Sequence, residues 1–194
     1  MRNASRKQQE KRERIILSAI AIMNREGFKY TTMEQVASEM QMTKGSLYYY
    51  FRNKQDLMFQ CHELVLDQAI EDQQEAFEAE GTYEDKLRRM IHCHIDYAVN
   101  RKETFNMIIQ PEQAFEKGQL PSIVEKRDDY ARLFDRVVSE GIGAGEFQNS
   151  DVKIIRMILL GAMNWVQTWY RKDGLIGLDE LKNLYAESLM KLLK

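Results

Sequence analysis

Proline is nearly absent from this sequence, and its scarcity constrains the fold more than any single motif does. Only Pro111 and Pro121 occur among the 194 residues. The long segments between breaks are rich in Glu, Lys, Leu, Met and Ala, which are the strongest helix formers. Apolar residues recur at the three- and four-residue spacing of an amphipathic helix. The sequence therefore predicts an all-α chain without a sheet.

Composition narrows the class of protein further. With 44% hydrophobic and 30% charged residues, the chain can bury a core but is no larger than one or two domains. No apolar run approaches the roughly 20 residues of a membrane helix, and the polar N-terminus has no signal core. We therefore expect a cytoplasmic location and no membrane partner. Cys61 and Cys93 lie outside any CxxC spacing, which predicts neither a disulfide nor a zinc module.

Charge is distributed unevenly along the chain. Residues 1–60 contain 11 Lys and Arg against 6 Asp and Glu, whereas the remaining residues contain 17 against 24. A local basic surface attracts phosphate whatever the net charge of the whole protein. The formal net charge of -2 is thus compatible with a nucleic-acid partner at the N-terminal third.

Three helices are predicted in this basic third. The first spans about residues 9–25. A second begins after Thr32, which precedes Gln35 by three positions and so has the spacing of a capping box. Thr43 is a good N-cap for a third helix over about residues 44–51. Two short helices joined by a tight turn, behind a longer supporting helix, indicate a helix-turn-helix.

The third helix, in the segment TKGSLYYYFRNK, places three tyrosines in its most basic neighbourhood. Leu47 and Phe51 are four residues apart and are predicted to anchor it in the core. The opposite face then presents Lys, Ser and Tyr side chains, which suit a major groove and its flanking phosphates. Taken alone, the tyrosines fit a solvated helix with locally packed rings equally well. Their place in a basic helix-turn-helix favours DNA.

The segment FKYTTMEQVASEMQMTKGSLYYYFRNKQDLM resembles the DNA-binding domain of the TetR (tetracycline-repressor) family of bacterial regulators, over about residues 11–60. The resemblance implies a three-helix DNA-binding domain in residues 1–54. A helical ligand-binding and dimerisation domain is then expected in residues 55–194. The family pattern implies base-edge contacts by Lys44, Gly45 and Tyr48. It implies phosphate-backbone contacts by Thr32, Thr43, Ser46, Tyr49 and Lys54.

The chain becomes acidic after Gln55. Between residues 55 and 85 there is no Lys or Arg, but there are ten Asp and Glu, so this long helix is predicted to lead away from DNA. Further helices are expected near residues 83–101, 103–110, 120–142, 151–171 and 178–193. The glycines of EGIGAGEF, namely Gly141, Gly143 and Gly145, mark a turn between two of them.

Residues 152–170 form the most apolar segment of the chain. A helix that is hydrophobic on all sides has to be covered on all sides. We predict that this helix and the last one form a four-helix interface with a second copy, while burial within one subunit is the alternative. A homodimer would also present two helix-turn-helix units to two half-sites. The interface is predicted to contain Leu160, Gly161, Asn164, Leu181, Tyr185 and Leu189.

The second domain is rich in aromatic and sulfur side chains, which suit an adaptable apolar pocket or a plain core. Its segments SEGIGAGEF and GAMNWVQTWYRKDGLIGLDEL resemble the TetR branch that responds to acyl-CoA thioesters of fatty-acid or steroid degradation. That resemblance implies a small-molecule effector, with cations near the CoA phosphates. The candidate effector residues are Met90, Tyr97, Phe105, Met107, Tyr130, Phe134, Met157, Trp165 and Trp169. The candidate cations are Arg88, Arg89, Arg101, Lys102, Lys126, Arg127 and Arg132.

Other chemistry has little support in the sequence. His62, His92 and His94 do not combine with the cysteines at a recognisable metal-ligand spacing, so no metal and no cofactor is predicted. No nucleophile motif such as GxSxG is present, which leaves a small helical enzyme as a remote alternative. We predict a non-enzymatic repressor that binds double-stranded operator DNA and leaves it on binding an effector. A regulator of multidrug efflux that senses hydrophobic drugs is the alternative within the same family.

Overall fold

The computed structural model describes residues 2–102, 104, 105, 115 and 117–194, with side chains from residue 6 onward. Over these residues the all-α prediction is confirmed, because the described parts contain helices and no strand. The helices are α1 (Arg2–Glu26), α2 (Met33–Glu39), α3 (Lys44–Tyr48), α4 (Lys54–Glu78), α5 (Tyr83–Asn100), α6 (Leu120–Gly143), α7 (Val152–Trp169) and α8 (Leu178–Met190), followed by a 3-10 turn at Lys191–Leu193. The helix predicted at residues 103–110 lies almost wholly outside the described residues.

The chain divides into two compact units. Unit 1 comprises Met1–Val65 with Glu103–Ile123, and unit 2 comprises Leu66–Lys102 with Val124–Lys194. The division between Val65 and Leu66 falls inside α4. The functional boundary predicted after residue 54 coincides instead with the start of α4, and it stays a prediction.

Unit 1 is built around the predicted stripe of α1. Ile15, Ala19 and Met23 are fully buried, and Val36 of α2 and Leu47 of α3 are buried with them. Phe51, just after α3, is also buried, which confirms the two predicted anchors of the third helix. Because these apolar side chains share one core, α3 is fixed with its opposite face outward.

Local hydrogen bonds define the start of both short helices. Thr32 Oγ1 accepts from the Gln35 amide at 3.2 Å, and Gln35 Oε1 accepts from the Thr32 amide at 2.8 Å. This is the predicted capping box. Thr43 Oγ1 accepts from the Ser46 amide at 3.1 Å and caps α3. Between the helices, Gln41 has a φ of 52°, so the turn uses a left-handed conformation at a residue other than glycine.

The third helix is shorter than predicted. It ends at Tyr48, residues 49 and 50 form a turn, and the Phe51 amide still donates to Leu47 O. The next helix begins at once, because Asn53 Oδ1 caps the Asp56 amide at 2.8 Å and Asp56 Oδ2 accepts from the Arg52 amide at 2.8 Å. The start of α4 therefore limits α3 from its C-terminal side.

Unit 2 is a helical core formed by the C-terminal part of α4 together with α5, α6, α7 and α8. Its largest buried side chains include Leu87, Met90 and Ile91 of α5 and Phe134 of α6. Leu159, Met163 and Val166 of α7 lie in the same core. The predicted helices near 83–101, 120–142, 151–171 and 178–193 are all confirmed to within a few residues.

The predicted glycine turn joins α6 to α7. A Cβ at Gly141 would lie 2.3 Å from the Phe147 ring, so only glycine lets that ring pack against the helix. Gly145 has a φ of 76° and reverses the chain. The carboxylate of Glu146, in the same loop, accepts from the Tyr83 amide at 2.7 Å. The turn therefore also caps the N-terminus of α5.

The apolar helix α7 is buried on one side only. Its outward face exposes a row of large apolar side chains, Ile154, Met157, Ile158, Trp165 and Trp169. Leu184 of α8 is exposed as well. None of the described helices is both long and apolar enough to span a bilayer.

Candidate nucleic-acid interface and ligand-binding unit

The exposed side of α3 brings together most of the side chains predicted to contact DNA. Thr43, Lys44, Gly45, Ser46, Tyr48 and Tyr49 are all exposed, while Leu47 between them is buried. Tyr49 is 71% exposed and its ring meets Tyr50 edge to face. The tyrosines therefore lie in a position where their hydroxyls and ring faces can reach a partner outside unit 1.

Lys44 already has a carboxylate partner. Its Nζ lies 2.5 Å from Glu34 Oε1, and both side chains are solvent-exposed. Glu34 raises the pKa of the Lys44 ammonium, and in return the ammonium lowers the pKa of Glu34. Lys44 Nζ also lies 5.8 Å from the centre of the Tyr48 ring. A polyanion approaching this face competes with Glu34 for the ammonium.

Gly45 has no structural requirement within unit 1. A Cβ built at this position meets no atom within 4 Å, and its φ is not positive. Glycine costs stability in a helix when nothing requires it. The absence of a side chain therefore leaves open space on the outer surface of α3, where a partner backbone could approach closely.

The N-terminal part of α1 contacts the same surface. Gln8 Nε2 donates to the Tyr49 hydroxyl at 3.2 Å, which joins the first helix to the turn after α3. Arg12 lies over the ring of Phe51, with its guanidinium carbon 5.8 Å from the ring centre. No role for these two residues could be predicted from the sequence, because contacts across about 40 positions have no local signature.

Lys54 lies differently from the other predicted phosphate contacts. Its ammonium donates to the carbonyl oxygens of Phe28 at 2.8 Å and Lys29 at 3.2 Å. Partial burial lowers the pKa of Lys54. Thr32, by contrast, is exposed beside α2. The Lys54 ammonium thus ties the start of α4 to the loop before α2, and its phosphate contact remains a prediction.

The predicted effector residues fall into two groups in the structure. Met90, Tyr97 and Phe134 lie in the interior of unit 2, and Tyr130 is partly buried against the same core. Phe105 is buried in unit 1, and Met107 lies outside the described residues. Their part in effector binding remains a prediction.

Three other effector candidates lie on the surface of the single chain, and not in the pocket or core that their residue types suggested. Met157 is 59%, Trp165 65% and Trp169 43% exposed, because they occupy the outward side of α7. Periodicity alone could not distinguish the two sides, since α7 is apolar almost all round. In a single chain these residues line a surface and no interior pocket.

Several residues predicted to lie at the dimer interface are instead buried within the single chain. Leu181 and Leu189 belong to the core of unit 2 and face inward. The amide oxygen of Asn164 also points inward, 3.0 Å from His94 Nε2. Gly161 is exposed, and Leu160 and Tyr185 are partly buried. Leu181 and Leu189 are therefore core residues of one subunit, where the apolar stripe of α8 packs on α5.

A chain of buried polar groups crosses the core of unit 2. Gln73 Nε2 donates to Met90 O at 3.1 Å and to the Tyr130 hydroxyl at 2.8 Å. The Tyr130 hydroxyl lies 2.8 Å from His94 Nδ1, and His94 Nε2 lies 3.0 Å from Asn164 Oδ1. The chain joins α4, α5, α6 and α7.

The donors and acceptors in this chain can be assigned. Because Met90 O only accepts, the Gln73 group facing it must be the amide nitrogen, and its second hydrogen points to Tyr130. Tyr130 then donates to His94 Nδ1, and His94 Nε2–H donates to Asn164 Oδ1. Burial lowers the pKa of His94 to about 4. The imidazole is therefore neutral at neutral pH, as this arrangement requires.

A cavity of about 530 Å³ lies on another side of α4 and α5. Tyr97 donates to Asp72 Oδ2 at 2.5 Å at its wall. Burial and the neighbouring carboxylates raise the pKa of the Cys93 thiol to about 12, so the thiol is protonated. With more acidic than basic groups, this cavity disfavours CoA phosphates. Its lining residues are Asp72, Glu75, Cys93, Asp96, Tyr97, Asn100 and Arg101.

Several candidate CoA-binding cations have partners within unit 2. Arg88 pairs with Glu84 at 2.8 Å, and Lys126 pairs with Asp67 at 2.6 Å. Arg89 donates to the carbonyl oxygens of Ala79 and Glu80 and so caps the end of α4. Arg101 stacks on Tyr97, and Arg132 pairs with Asp129. Among the described residues, Lys102 and Arg127 are the two candidates without an ion pair, a hydrogen bond or a ring contact of this kind. A cluster of cations at a cavity mouth is not seen in the same part of the chain.

Glu34, Gln73 and the hydrogen-bonding role of His94 were not predicted from the sequence, which suggested His94 only as a possible metal ligand. Among the described residues, no three or more His, Cys, Asp or Glu side chains lie together so that they could hold a metal ion. A polar residue inside an apolar helical stripe was the available signal, since buried polar groups require partners. The identity of those partners could not be read from spacing.

Two family models match this chain. The description "Bacterial regulatory proteins, tetR family" covers residues 15–61, and "Tetracyclin repressor-like, C-terminal domain" covers residues 80–193. The chain belongs to the TetR family. The first match covers the helix-turn-helix of unit 1. The TetR family is one of transcriptional regulators, so this chain is a TetR-family transcriptional regulator.

The chain is also similar to individual known proteins and solved structures. The fatty acid metabolism regulator protein of Bacillus subtilis (strain 168) is 25% identical over 181 residues, which are 91% of this chain and 92% of that protein. A TetR/AcrR-family regulator from Thermobifida fusca YX-ER1 has a TM-score of 0.81 at 22% identity, covering 93% of this chain and 97% of its own. AibR, solved with isovaleryl coenzyme A and operator DNA, has a TM-score of 0.75 at 18% identity, covering 94% and 97%.

Proposed function

We propose that this TetR-family regulator is a repressor that binds a palindromic operator as a homodimer and leaves it when a small apolar or amphipathic effector binds unit 2. The observation that carries the proposal is the outward face of α3, where Lys44, Ser46, Tyr48 and Tyr49 are exposed around an unobstructed Gly45. These groups can donate to base edges and phosphates. The cytoplasmic location expected from the sequence is part of this proposal.

The apolar outer face of α7 supports the homodimer. Ile154, Met157, Ile158 and Trp165 are exposed together on one helix, and exposed apolar surfaces of this kind mark protein interfaces. Gly161 lies between them with no atom near its Cβ position, which permits close approach of a second helix. A symmetric pair would bury this face against its own copy.

We propose an acyl-CoA of fatty-acid or steroid degradation as the effector. Support comes from the relatives: one is named a fatty acid metabolism regulator, and AibR was solved with an acyl-CoA and operator DNA. The acidic cavity beside α5 does not suit CoA phosphates, so the nucleotide part must bind elsewhere. The multidrug-efflux alternative is favoured by the same acidic cavity, because many hydrophobic drugs are cationic.

Selection from a random pool of duplex DNA tests the proposal. We expect enrichment of a two-half-site palindrome and a protein dimer on each recovered fragment. Palmitoyl-CoA or octanoyl-CoA should then release the DNA in a fluorescence anisotropy assay, while CoA alone should not. Release by a cationic dye such as ethidium, but by no acyl-CoA, would favour the drug-sensing alternative. Failure to enrich any sequence would contradict the repressor proposal itself.

Mass spectrometry under native conditions tests the effector class independently. Protein purified from its natural host at low ionic strength should retain a bound molecule whose mass corresponds to an acyl-CoA. A retained molecule without adenine and phosphate would contradict the acyl-CoA assignment, while leaving the DNA-binding proposal intact.

A further inference from the structure

One acceptor in the buried polar chain of unit 2 has no partner. Gln73 Oε1 is fully buried and has no hydrogen-bond partner among the described residues. The amide cannot be turned to exchange its two ends, because Met90 O and the Tyr130 hydroxyl hold its nitrogen at 3.1 and 2.8 Å. The oxygen is therefore held in a fixed direction inside the core.

Natural proteins rarely leave such a group unpaired, because burial of an amide oxygen without a donor is unfavourable. The partners of Gln73 are themselves buried or packed against the apolar core that contains Met90 and Phe134. Tyr130 and His94 use their own donors within the chain, as assigned above. No described neighbour is left to donate to Gln73 Oε1, so a donor must come from elsewhere.

We propose that Gln73 Oε1 is a recognition point for the effector and accepts a hydrogen bond from a neutral donor, such as a hydroxyl or an amide N–H, on the part of the effector that enters the apolar core of unit 2. This inference rests on the proposed function, since it places one polar group of the effector inside unit 2. Tyr130, held by Gln73 and His94, positions the amide so that its oxygen points to the ligand.

The charges nearby select against an anionic group at this point. The described side chains joined in the chain, Gln73, Tyr130, His94 and Asn164, are uncharged at neutral pH. Asp72 immediately precedes Gln73 on α4. Burial is the main cause that raises the pKa of Tyr130, and the Asp72 carboxylate adds a smaller contribution. A carboxylate would have no cation to pair with in the chain and would meet this negative charge. A free fatty-acid head group is therefore excluded from the site, while an alcohol or an amide is accepted.

The test uses three twelve-carbon probes on the full-length protein: dodecan-1-ol, methyl dodecanoate and dodecanoate. Their head groups are a neutral donor, a neutral acceptor and an anion at the same chain length. We expect dodecan-1-ol to bind about tenfold or more tightly than either of the others, measured by isothermal titration calorimetry. Equal affinities for the three probes, or no binding of the alcohol, would overturn the proposal from measurements on the wild-type protein alone.

Two variants localise the preference. Gln73→Met removes the oxygen at nearly constant volume and should abolish the preference for the alcohol. Gln74→Met makes the same change at the next residue of α4, whose amide contacts Glu78 of the same helix, and should keep the preference. A preference that survives Gln73→Met in a folded protein, as judged by circular dichroism, would place the acceptor for the alcohol hydroxyl elsewhere and overturn the proposal.

The outcome is separable from that of the proposed function. If an acyl-CoA releases operator DNA but the alcohol shows no advantage, only the role of Gln73 is wrong. If neither acyl-CoA nor any twelve-carbon probe affects DNA binding, the effector part of the proposed function is wrong as well.

Discussion

Lys44 of α3 and Glu34 of α2 form a 2.5 Å ion pair on the surface predicted to meet DNA. The pair places a carboxylate beside the one cation on the exposed side of α3. An exposed pair of this kind contributes little to folding. Its main consequence is expected in DNA binding, where the ammonium has to leave Glu34 for a base edge or a phosphate.

Glu34→Gln should therefore strengthen operator binding, by up to about fivefold, because Lys44 is released and a negative charge is removed. Fluorescence anisotropy with the selected operator measures the change. In the Lys44→Ala background the gain from Glu34→Gln should shrink, since the ammonium is gone. An undiminished gain in that background would show that Glu34 acts through net charge and not through Lys44.

Gly45→Ala should weaken operator binding by about tenfold, the scale of one lost contact, without harming the fold. The added Cβ meets no atom of the protein within 4 Å, and alanine favours the helix by up to about 1 kcal/mol. Thermal unfolding and anisotropy together check both effects. Gly143→Ala, where space is also open, should leave DNA binding unchanged. Unaltered binding by Gly45→Ala would contradict a close approach of DNA at this position.

Lys54→Met separates a positioning role from a phosphate contact. Loss of the bonds to Phe28 O and Lys29 O should lower stability by about 1 kcal/mol, after allowance for partial exposure. If Lys54 only positions α4, the slope of log affinity against log salt should stay constant. If the slope of log affinity against log salt instead decreases in magnitude by about one, the result would support the phosphate contact predicted from the family pattern.

Gly161→Leu should convert the protein to a monomer without unfolding it. Gly161 is exposed and a Cβ there meets no atom of the single chain within 4 Å, whereas a leucine side chain would fill the gap through which a partner helix is proposed to approach α7. Sedimentation velocity measures the state of association. Gly143→Leu, also at an open position, should remain dimeric. A Gly161→Leu protein that stays dimeric would place the interface elsewhere.

His94 predicts a specific loss of stability in acid. Its pKa falls from 6.5 to about 4 on folding, chiefly because of burial. Below pH about 6.5 the unfolded chain therefore binds a proton that the folded chain does not. The free energy of unfolding should decrease by about 3 kcal/mol as the pH falls from 6.5 to about 4.

Urea denaturation of wild type and His94→Gln across this pH range checks the prediction. Carboxylates titrate in both proteins and cancel in the comparison, so the difference reports His94. A difference between the two proteins that does not change with pH would contradict the lowered pKa.

The sequence by itself determined the helices, their caps and the outward face of α3. Thr32, Thr43 and the glycines of EGIGAGEF act on neighbours within a few residues, so their effects could be predicted from spacing. Leu47 and Phe51 were predicted correctly as anchors because a short amphipathic helix has only one apolar face. The TetR-family motif added roles for the polar residues between them.

Only the tertiary structure decided which side of α7 is buried, and which polar groups meet inside unit 2. Trp165, a predicted effector residue, is exposed on α7, because an almost uniformly apolar helix gives no periodic signal to orient it. Leu181, predicted at the dimer interface, is buried within the single chain. Gln73, His94 and Asn164 come from three helices and meet only after those helices pack. Hydrogen bonds over such separations depend on the fold as a whole, so no local pattern in the sequence encodes them.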